Sequence, residues 1–173
     1  NHRFSYASVW DDFNNDGLPD LYVANDFGRN NLYLQSRSAD GKPQFRDVTD
    51  AAGLSEGAFG MSASSGDFNR DGWPDIHLGA MFSSAGSRIT SQSRFRPELA
   101  KEVRDRFRRL ARGNTLFLNG GKPAGQFLDV SESAGITLGR WSWASLFTDI
   151  DNDTWPDLLV ANGFVTGEIP DDL

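Results

Sequence analysis

The sequence predicts an all-β fold of four-stranded antiparallel units, arranged as blades of a partial β-propeller with one inserted α-helix. Three observations lead to this fold class. An acidic nine-residue segment is present three times, at residues 12–20, 67–75 and 149–157. Two further blocks recur in register with it. Short apolar or alternating runs lie between Gly, Asn and Asp residues, which is typical of short strands joined by turns.

The repeat extends well beyond the acidic segments, which read DFNNDGLPD, DFNRDGWPD and DIDNDTWPD. A large aromatic residue stands eight residues before each one, at Phe4, Phe59 and Trp141. NNLYLQS matches NTLFLNG, and QFRDVTDAAGL matches QFLDVSESAGI. In both copies 22 residues separate the phenylalanine of the last block from the next acidic segment. An ordinary β-sandwich with unrelated turns does not explain this agreement.

We therefore expect a single propeller segment, with blade one at residues 1–55, blade two at 56–137 and the first half of blade three at 138–173. Propellers have at least about four blades, so we expect the segment to be part of a longer propeller. Blade two is longer because a helical insertion occupies about residues 84–113. Within it, residues 97–112 predict a helix with Pro97 at its first position and Gly113 just beyond its end.

Composition excludes several classes of function. The chain has 173 residues, no cysteine and a net charge of −7. Disulfides, thiolate metal sites and cysteine nucleophiles are therefore excluded, and the negative charge argues against nucleic acid as a partner. No apolar run is long enough for a transmembrane helix. The chain begins at Asn1 without a leader, so we expect any export signal to lie outside it.

The acidic segments have the oxygen spacing of a calcium loop. Side-chain oxygens at positions 1, 3 and 5 can converge on one cation, position 7 offers its carbonyl, and a later carboxylate closes the far side. In loop one (residues 12–20) the predicted ligands are Asp12, Asn14, Asp16, the Leu18 carbonyl and Asp20. In loop two (residues 67–75) they are Asp67, Asn69, Asp71, the Trp73 carbonyl and Asp75. In loop three (residues 149–157) they are Asp149, Asp151, Asp153, the Trp155 carbonyl and Asp157.

Position 6 of each loop needs a sharp turn, which glycine makes without strain. Gly17 and Gly72 meet this need, whereas loop three has Thr154, with a further carboxylate at Asp151 where the other loops carry Asn. An Asx-rich turn without an ion is the alternative. It would leave repelling carboxylates together in all three loops. Flexible loops of protein oxygens favour Ca²⁺ over Mg²⁺, and we expect up to three ions.

These loops resemble the FG-GAP/VCBS repeats that form the blades of integrin α-subunit propellers. FRDVTDAAGL, NTLFLNGG and the segment from WSWASLFTDIDNDTWPD onward resemble, more narrowly, the ASPIC/UnbV group, which includes cartilage acidic proteins. The resemblance covers essentially the whole chain. It implies a propeller of about seven blades, calcium in the loops, an extracellular or periplasmic location and a role in adhesion or assembly. Thr154 departs from the family loop.

Other candidate sites have weaker support. His77 lies in a predicted strand without a second ligand nearby, which favours packing over a zinc role, and His2 is the only other histidine. The five tryptophans suit core and inter-blade packing better than a sugar-binding platform. The Arg-rich helix at 97–112 is either a solvated helix packed on the blade edge or a docking element for an acidic partner.

The sequence thus predicts a calcium-binding, non-enzymatic module for protein–protein interaction, adhesion or assembly in an exported protein. Its partners would be other protein subunits or extracellular protein or glycan. Two alternatives remain open. One is a calcium-dependent polysaccharide-processing enzyme of the lyase or dehydratase kind, for which no general-base constellation is visible. The other is a permanent structural subunit of a larger complex.

Overall fold

The chain forms antiparallel β-blades in the computed structural model, which describes residues 4–26, 28–54, 57–121 and 126–162. Blade one is a four-stranded sheet with the order β1-β2-β4-β5. Its strands are β1 (Phe4–Asp11), β2 (Asp20–Asp26), β4 (Asn31–Arg37) and β5 (Pro43–Asp47). Between the blades, β3 (Gly28–Arg29) pairs with β6 (Gly57–Ala58) as a two-residue ribbon. In the part of the chain that the structure describes, no helix is long and apolar enough to span a membrane.

Blade two repeats this order with the first strand again at one edge. Its strands are β7 (Gly60–Gly66), β8 (Asp75–Ala80), β9 (Thr115–Asn119) and β10 (Phe127–Asp129). Blade three is described as one antiparallel pair, β11 (Ser142–Thr148) and β12 (Asp157–Asn162). The predicted class of four-stranded antiparallel blades in a partial propeller is confirmed.

The three blades share a β-bulge at the same position of the repeat. The first strand of every blade changes register against the second strand by one residue: between Ser5 and Ala7 in β1, Gly60 and Ser62 in β7, and Ser142 and Ala144 in β11. A one-residue bulge bends a strand and increases its twist. The bend therefore recurs at the same repeat position in all three blades.

The main core lies between blades one and two. Tyr22 and Ala24 on β2 face Ile76 and Leu78 on β8, and all four are at most 1% exposed. Strand alternation accounts for this arrangement, because every second residue of a strand points to the same face. A bond from the Asn119 side-chain amide to the Phe13 carbonyl (2.9 Å) further joins the blades.

The opposite face of β8 packs against blade three. His77 is fully buried there, and its ring meets the Phe147 ring edge-on with centroids 6.5 Å apart. The close approach needs Gly66, because a Cβ at that position would lie 2.7 Å from Phe147. The predicted packing role of His77 is therefore confirmed, whereas His2 lies outside the described residues.

The insertion between β8 and β9 contains two helices, α1 (Ser84–Thr90) and α2 (Lys101–Arg112), where one was predicted. The expected start at Pro97 is also wrong. Arg96 has a positive φ of 43° and Ala100 is extended (φ −56°, ψ 150°), so the residues around Pro97 form turns and the helix begins after them. Gly113 ends α2 as expected, with φ of 101°.

Polar contacts fasten α2 to blade two and α1 to α2. Arg109 and Arg112 donate to the same Asp129 oxygen on β10, at 2.7 and 2.8 Å. Arg108 binds the Thr90 carbonyl of α1 at 3.1 Å. Phe107 and Leu110 of α2 help to line an apolar cavity of about 440 Å³ with Trp141. The expectation of a helix packed on the blade is thus supported.

His77 gives the fold a pH dependence that can be measured. Neither ring nitrogen has a hydrogen-bond partner among the described residues, and burial lowers the pKa of His77 to about 4. The unfolded chain binds this proton near pH 6.5, so stability falls as pH drops from there toward 4. We expect His77→Leu to remove roughly 2–3 kcal/mol of the stability loss between pH 7 and pH 4, measured by urea unfolding. His2 is present in both proteins, so its titration cancels; identical pH slopes would contradict the prediction.

Candidate metal centre

Each acidic loop is closed by its first carboxylate. In loop one the two oxygens of Asp12 accept the N–H groups of Asp16 (2.9 Å) and Gly17 (2.7 Å). The equivalent bonds in loop two run from Asp71 (2.9 Å) and Gly72 (2.8 Å) to Asp67. Those in loop three run from Asp153 (3.1 Å) and Thr154 (2.9 Å) to Asp149. These bonds curl each loop into the same conformation.

The side chains at positions 3 and 5 meet on the inside of this curl. Asn14 contacts Asp16 twice: its oxygen accepts the Asp16 N–H at 3.1 Å, and its amide donates to the carboxylate at 2.9 Å. Asn69 makes the same two contacts with Asp71. The Asp16 carboxylate also accepts the Leu18 N–H at 2.9 Å, which brings position 7 beside the cluster. The predicted ligands at positions 1, 3 and 5 are thus brought together.

Loop three gathers three carboxylates. Ligand oxygens of Asp149, Asp151 and Asp153 lie within 4.8 Å of one another, and all three residues are exposed. A cation held at about 2.3–2.6 Å from each oxygen would fit between oxygens this far apart. The donor set consists of hard oxygens, which suits Ca²⁺ or Mg²⁺ and not a thiophilic metal. The residues present therefore fit a hard divalent cation.

The carboxylate at position 9, a predicted ligand, also makes backbone contacts within its blade. Asp20 is fully buried, and its two oxygens accept the Phe13 N–H (3.0 Å) and the Gln35 N–H (2.8 Å). Asp75 binds the N–H groups of Phe68 and Asn119 in the same way, both at 2.8 Å. This carboxylate ties the loop to the third strand of its blade. Asp157 binds the Ile150 N–H at 3.0 Å.

The buried carboxylates titrate abnormally. Burial raises the pKa of Asp20 to about 6, against the lowering effect of the Gln35 and Phe13 bonds. The charges of Asp16 and Asp12 raise it further. The pKa of Asp75 is raised to about 6 for the same reasons. Loops one and two therefore concentrate negative charge against a poorly solvated carboxylate, and a cation would offset this repulsion.

Position 6 has the left-handed backbone that the sequence indicated. Gly17 and Gly72 both have φ of 85°, and Thr154 has φ of 74°. The turn is therefore retained in loop three despite the β-branched side chain, at a cost of about 1–2 kcal/mol. Thr154 takes part in a contact that the glycines cannot make, because its hydroxyl accepts a bond from Arg70 at 3.2 Å.

The role of the fourth residue of each acidic loop was not predicted from the sequence. Asn15, Arg70 and Asn152 have φ of 53°, 61° and 60°. The side chain at this position reaches the next loop along the chain: Asn15 donates to the Gly72 carbonyl at 2.9 Å, and the Arg70 guanidinium lies 4.9 Å from the centre of the Trp155 ring. We call these two contacts the inter-loop bridges. Asparagine at two of the three positions was the available signal, since it tolerates a left-handed backbone.

Four of the five tryptophans are partly exposed. Trp10, Trp141, Trp143 and Trp155 are 41–54% exposed. Trp10 occupies the repeat position of Phe147, which packs on the preceding blade. Trp10 packs against Phe45 of its own sheet, with ring centroids 5.9 Å apart. The inter-blade packing role of these rings stays a prediction.

Comparison with known proteins agrees with this geometry. Residues 12–78 match the family model of the FG-GAP-like repeat. The matched stretch runs from loop one into β8 and so includes two of the three loops.

Two integrin α chains are similar to this chain over most of its length. Integrin alpha-5 of Xenopus laevis is 28% identical in an alignment 182 residues long, gaps included. The alignment covers 91% of this chain and 14% of the relative. Human integrin alpha-8 is 28% identical in an alignment 187 residues long, which covers 96% of this chain and 15% of the relative. The chain therefore spans about a seventh of the length of these relatives.

The second inter-loop bridge can be tested by a double-mutant cycle. Arg70→Asn keeps a residue that tolerates positive φ but removes the guanidinium, and Trp155→Leu removes the ring. We expect a coupling free energy of about 0.5–1 kcal/mol between them, the size of an exposed cation–π contact. Urea unfolding of the four proteins measures it. As a control, Arg46→Asn combined with Trp155→Leu should be additive, and a bridge cycle that is also additive would contradict the contact.

Proposed function

We propose that this chain is a calcium-stabilised propeller segment of an exported protein, serving protein interaction, adhesion or assembly. The observation that carries the proposal is the convergence of side-chain oxygens at positions 1, 3 and 5 in three loops of the same conformation. The FG-GAP-like match and the similarity to integrin alpha chains support an interaction role and an extracellular or periplasmic location. The blocks FRDVTDAAGL and NTLFLNGG further support membership of the ASPIC/UnbV group.

In this proposal the cation supplies positive charge that neutralises the loop carboxylates. The ligands would be the predicted residues at positions 1, 3, 5, 7 and 9, with Asp20 and Asp75 also holding their loops against the third strand of the blade. The loops join the first and second strands of each blade. Cation binding would therefore stabilise the start of every blade, and the blades would present the interaction surface.

Chelation and a matched pair of variants test the ion. We expect EDTA to lower the Tm, because a ligand at 100 times its Kd stabilises the folded state by about 2.7 kcal/mol. We also expect calorimetric titration to give up to three bound Ca²⁺.

Asp71→Asn keeps an oxygen for the Trp73 N–H but removes a charge in loop two, so it should lose one ion. Asp40→Asn, in the exposed β4–β5 turn, makes the same charge change and should lose none. A Tm unaffected by EDTA would sink the cation proposal.

The insertion suits an acidic partner. Residues 84–113 hold nine basic and three acidic side chains, a net charge of +6 within a chain of −7. Arg88, Arg94 and Arg106 are exposed, and in the described ranges none forms an ion pair with a carboxylate. Beside them Phe107 and Ile89 are 39% and 49% exposed. We propose that this surface docks an acidic, partly apolar protein surface.

Poly-glutamate binding measures the electrostatic part of this docking. We expect labelled poly-glutamate to bind at low salt and to dissociate as salt rises. The triple variant Arg88→Gln, Arg94→Gln, Arg106→Gln should abolish binding. The triple variant Arg37→Gln, Lys42→Gln, Arg46→Gln removes equal charge from blade one and should retain it. Equal loss in both would show that net charge alone is responsible.

The two alternative functions make different predictions. A polysaccharide-processing enzyme would show turnover that chelation abolishes, and a carbohydrate screen with and without EDTA measures this. A permanent subunit would purify with stoichiometric partners, which native mass determination detects. The proposed module would show neither property.

A further inference from the structure

Two neighbouring cavities lie between the inserted helices and the blades. The first, of about 440 Å³, is apolar, and its walls include Phe59 before β7, Leu110 of α2 and Trp141 before β11. The second, of about 460 Å³, lies between α1, α2 and the segment that follows β10. Phe82 and Thr90 line both cavities, so the two spaces adjoin. Each volume is within the range of sites that hold small organic ligands.

Both cavities depend on the insertion. Blade one joins its second and third strands through the two-residue β3, whereas blade two has α1 and α2 at the same point. The described residues that line the two cavities lie between Phe59 and Trp141, and both helices contribute to each cavity. The cavities are therefore a feature of the insertion and not of the repeat.

Positive charge exceeds negative charge beside the second cavity. Four cationic and three acidic side chains form ion pairs there: Lys101, Arg108, Arg109 and Arg112 with Asp105, Asp129 and Glu132. Asp105 and Asp129 are each shared by two cations, and the side chain of Glu132 is 80% exposed. One positive charge in this group is thus left without a carboxylate.

Two guanidinium groups that line the second cavity have N–H groups without an acceptor. Arg108 donates from Nε to the Thr90 carbonyl (3.1 Å) and from Nη1 to Asp105 (3.0 Å), and among the described residues its Nη2 has no acceptor. Arg112 Nη1 is 3.6 Å from Glu132, which is too long for a hydrogen bond. The two arginines are four residues apart on α2, so they lie on the same face of the helix and repel each other. An anion between them would relieve this repulsion and accept the N–H groups.

The first cavity offers few polar partners to water. Aromatic and aliphatic side chains form most of its walls, and its described hydroxyl-bearing residues are Ser83 and Thr90. The Ser83 oxygen accepts the Gly86 N–H at 2.9 Å, and the Thr90 hydroxyl donates to the Ser87 carbonyl at 3.4 Å. Both hydroxyl groups are thus engaged at α1. Because a buried water needs two to four polar partners, an apolar group suits this space better.

We propose that the two cavities together bind a small amphipathic anion, a carboxylate with an apolar chain or ring. The apolar part occupies the first cavity, beside Phe59, Leu110 and Trp141. The carboxylate lies in the second cavity, where it accepts hydrogen bonds from Arg108 and Arg112. Free fatty acids of medium chain length have this chemistry. The site is separate from the acidic loops and does not depend on a bound cation.

Decanoate and its uncharged analogue decan-1-ol test the class of ligand. Calorimetric titration of the 173-residue chain, below the micellar concentration of decanoate, should show saturable binding. Decan-1-ol should bind at least about tenfold more weakly, which is the loss expected when a charge-assisted hydrogen bond is removed. Equal binding of the two compounds would contradict an anionic ligand. A folded chain that does not bind decanoate would overturn the proposal.

Matched substitutions on α2 locate the site. Leu110→Trp fills the apolar cavity and should abolish decanoate binding, with circular dichroism as the check that the fold is kept. Arg108→Gln should weaken decanoate binding at least about tenfold and leave decan-1-ol binding unchanged, because the alcohol does not need the charge. A merely structural role of Arg108 would weaken both compounds equally. Arg106→Gln removes the same charge from an exposed residue of the same helix and should change neither.

Further outcomes separate this site from the proposed docking of an acidic protein. The triple variant Arg88→Gln, Arg94→Gln, Arg106→Gln should lose poly-glutamate binding and keep decanoate binding. Loss of decanoate binding in that variant would show that net charge is responsible and would overturn the site. Full decanoate binding by a folded Leu110→Trp chain, or equal losses in Arg106→Gln and Arg108→Gln, would overturn it as well.

Discussion

A buried carboxylate at the end of each of the first two acidic loops is the interaction on which their blades depend. Asp20 and Asp75 lie where loop, second strand and third strand meet, and each satisfies one N–H from the loop and one from the third strand. Leaving a carboxylate in such a place is costly unless its oxygens accept hydrogen bonds. The same bonds that make its burial tolerable therefore fix the loop against the sheet, and they place the other oxygens of the loop at the surface.

This arrangement separates two tasks within nine residues. The carboxylates at positions 1 and 5 shape the loop by accepting its own N–H groups and remain accessible. The carboxylate at position 9 shapes the blade and is withdrawn from solvent. A cation in the loop would then act on a conformation that the backbone bonds already favour. Preorganisation of this kind lowers the entropy lost on binding.

The blades and the loops could be predicted because the residues that specify them lie close together in the sequence. Alternating Asp and Asn, then Gly or Thr, then Pro, encodes a turn within nine residues, and the repetition fixed the register. The inter-loop bridges could not be found in this way, because Arg70 and Trp155 are 85 residues apart. Asp20 was predicted as a ligand from residue type alone, which does not show that its oxygens also accept N–H groups of the loop and of the third strand. The predicted start of the inserted helix was wrong because Arg96 adopts a left-handed backbone, which its residue type does not indicate.

The inter-loop bridges also bear on where these blades can change in length. Asn15 meets the Gly72 carbonyl and Arg70 meets Trp155, so a residue added to or removed from one loop would break its contact with the next. The connection between second and third strands also bonds to the neighbouring blade, through β3 and β6 in blade one and from Phe82 to Arg140 in blade two. In blade two it nevertheless accommodates α1 and α2, with α2 fastened to the blade at Asp129. Lengthening is thus confined to one end of the blades, where new surface can be added without disturbing the acidic loops at the other.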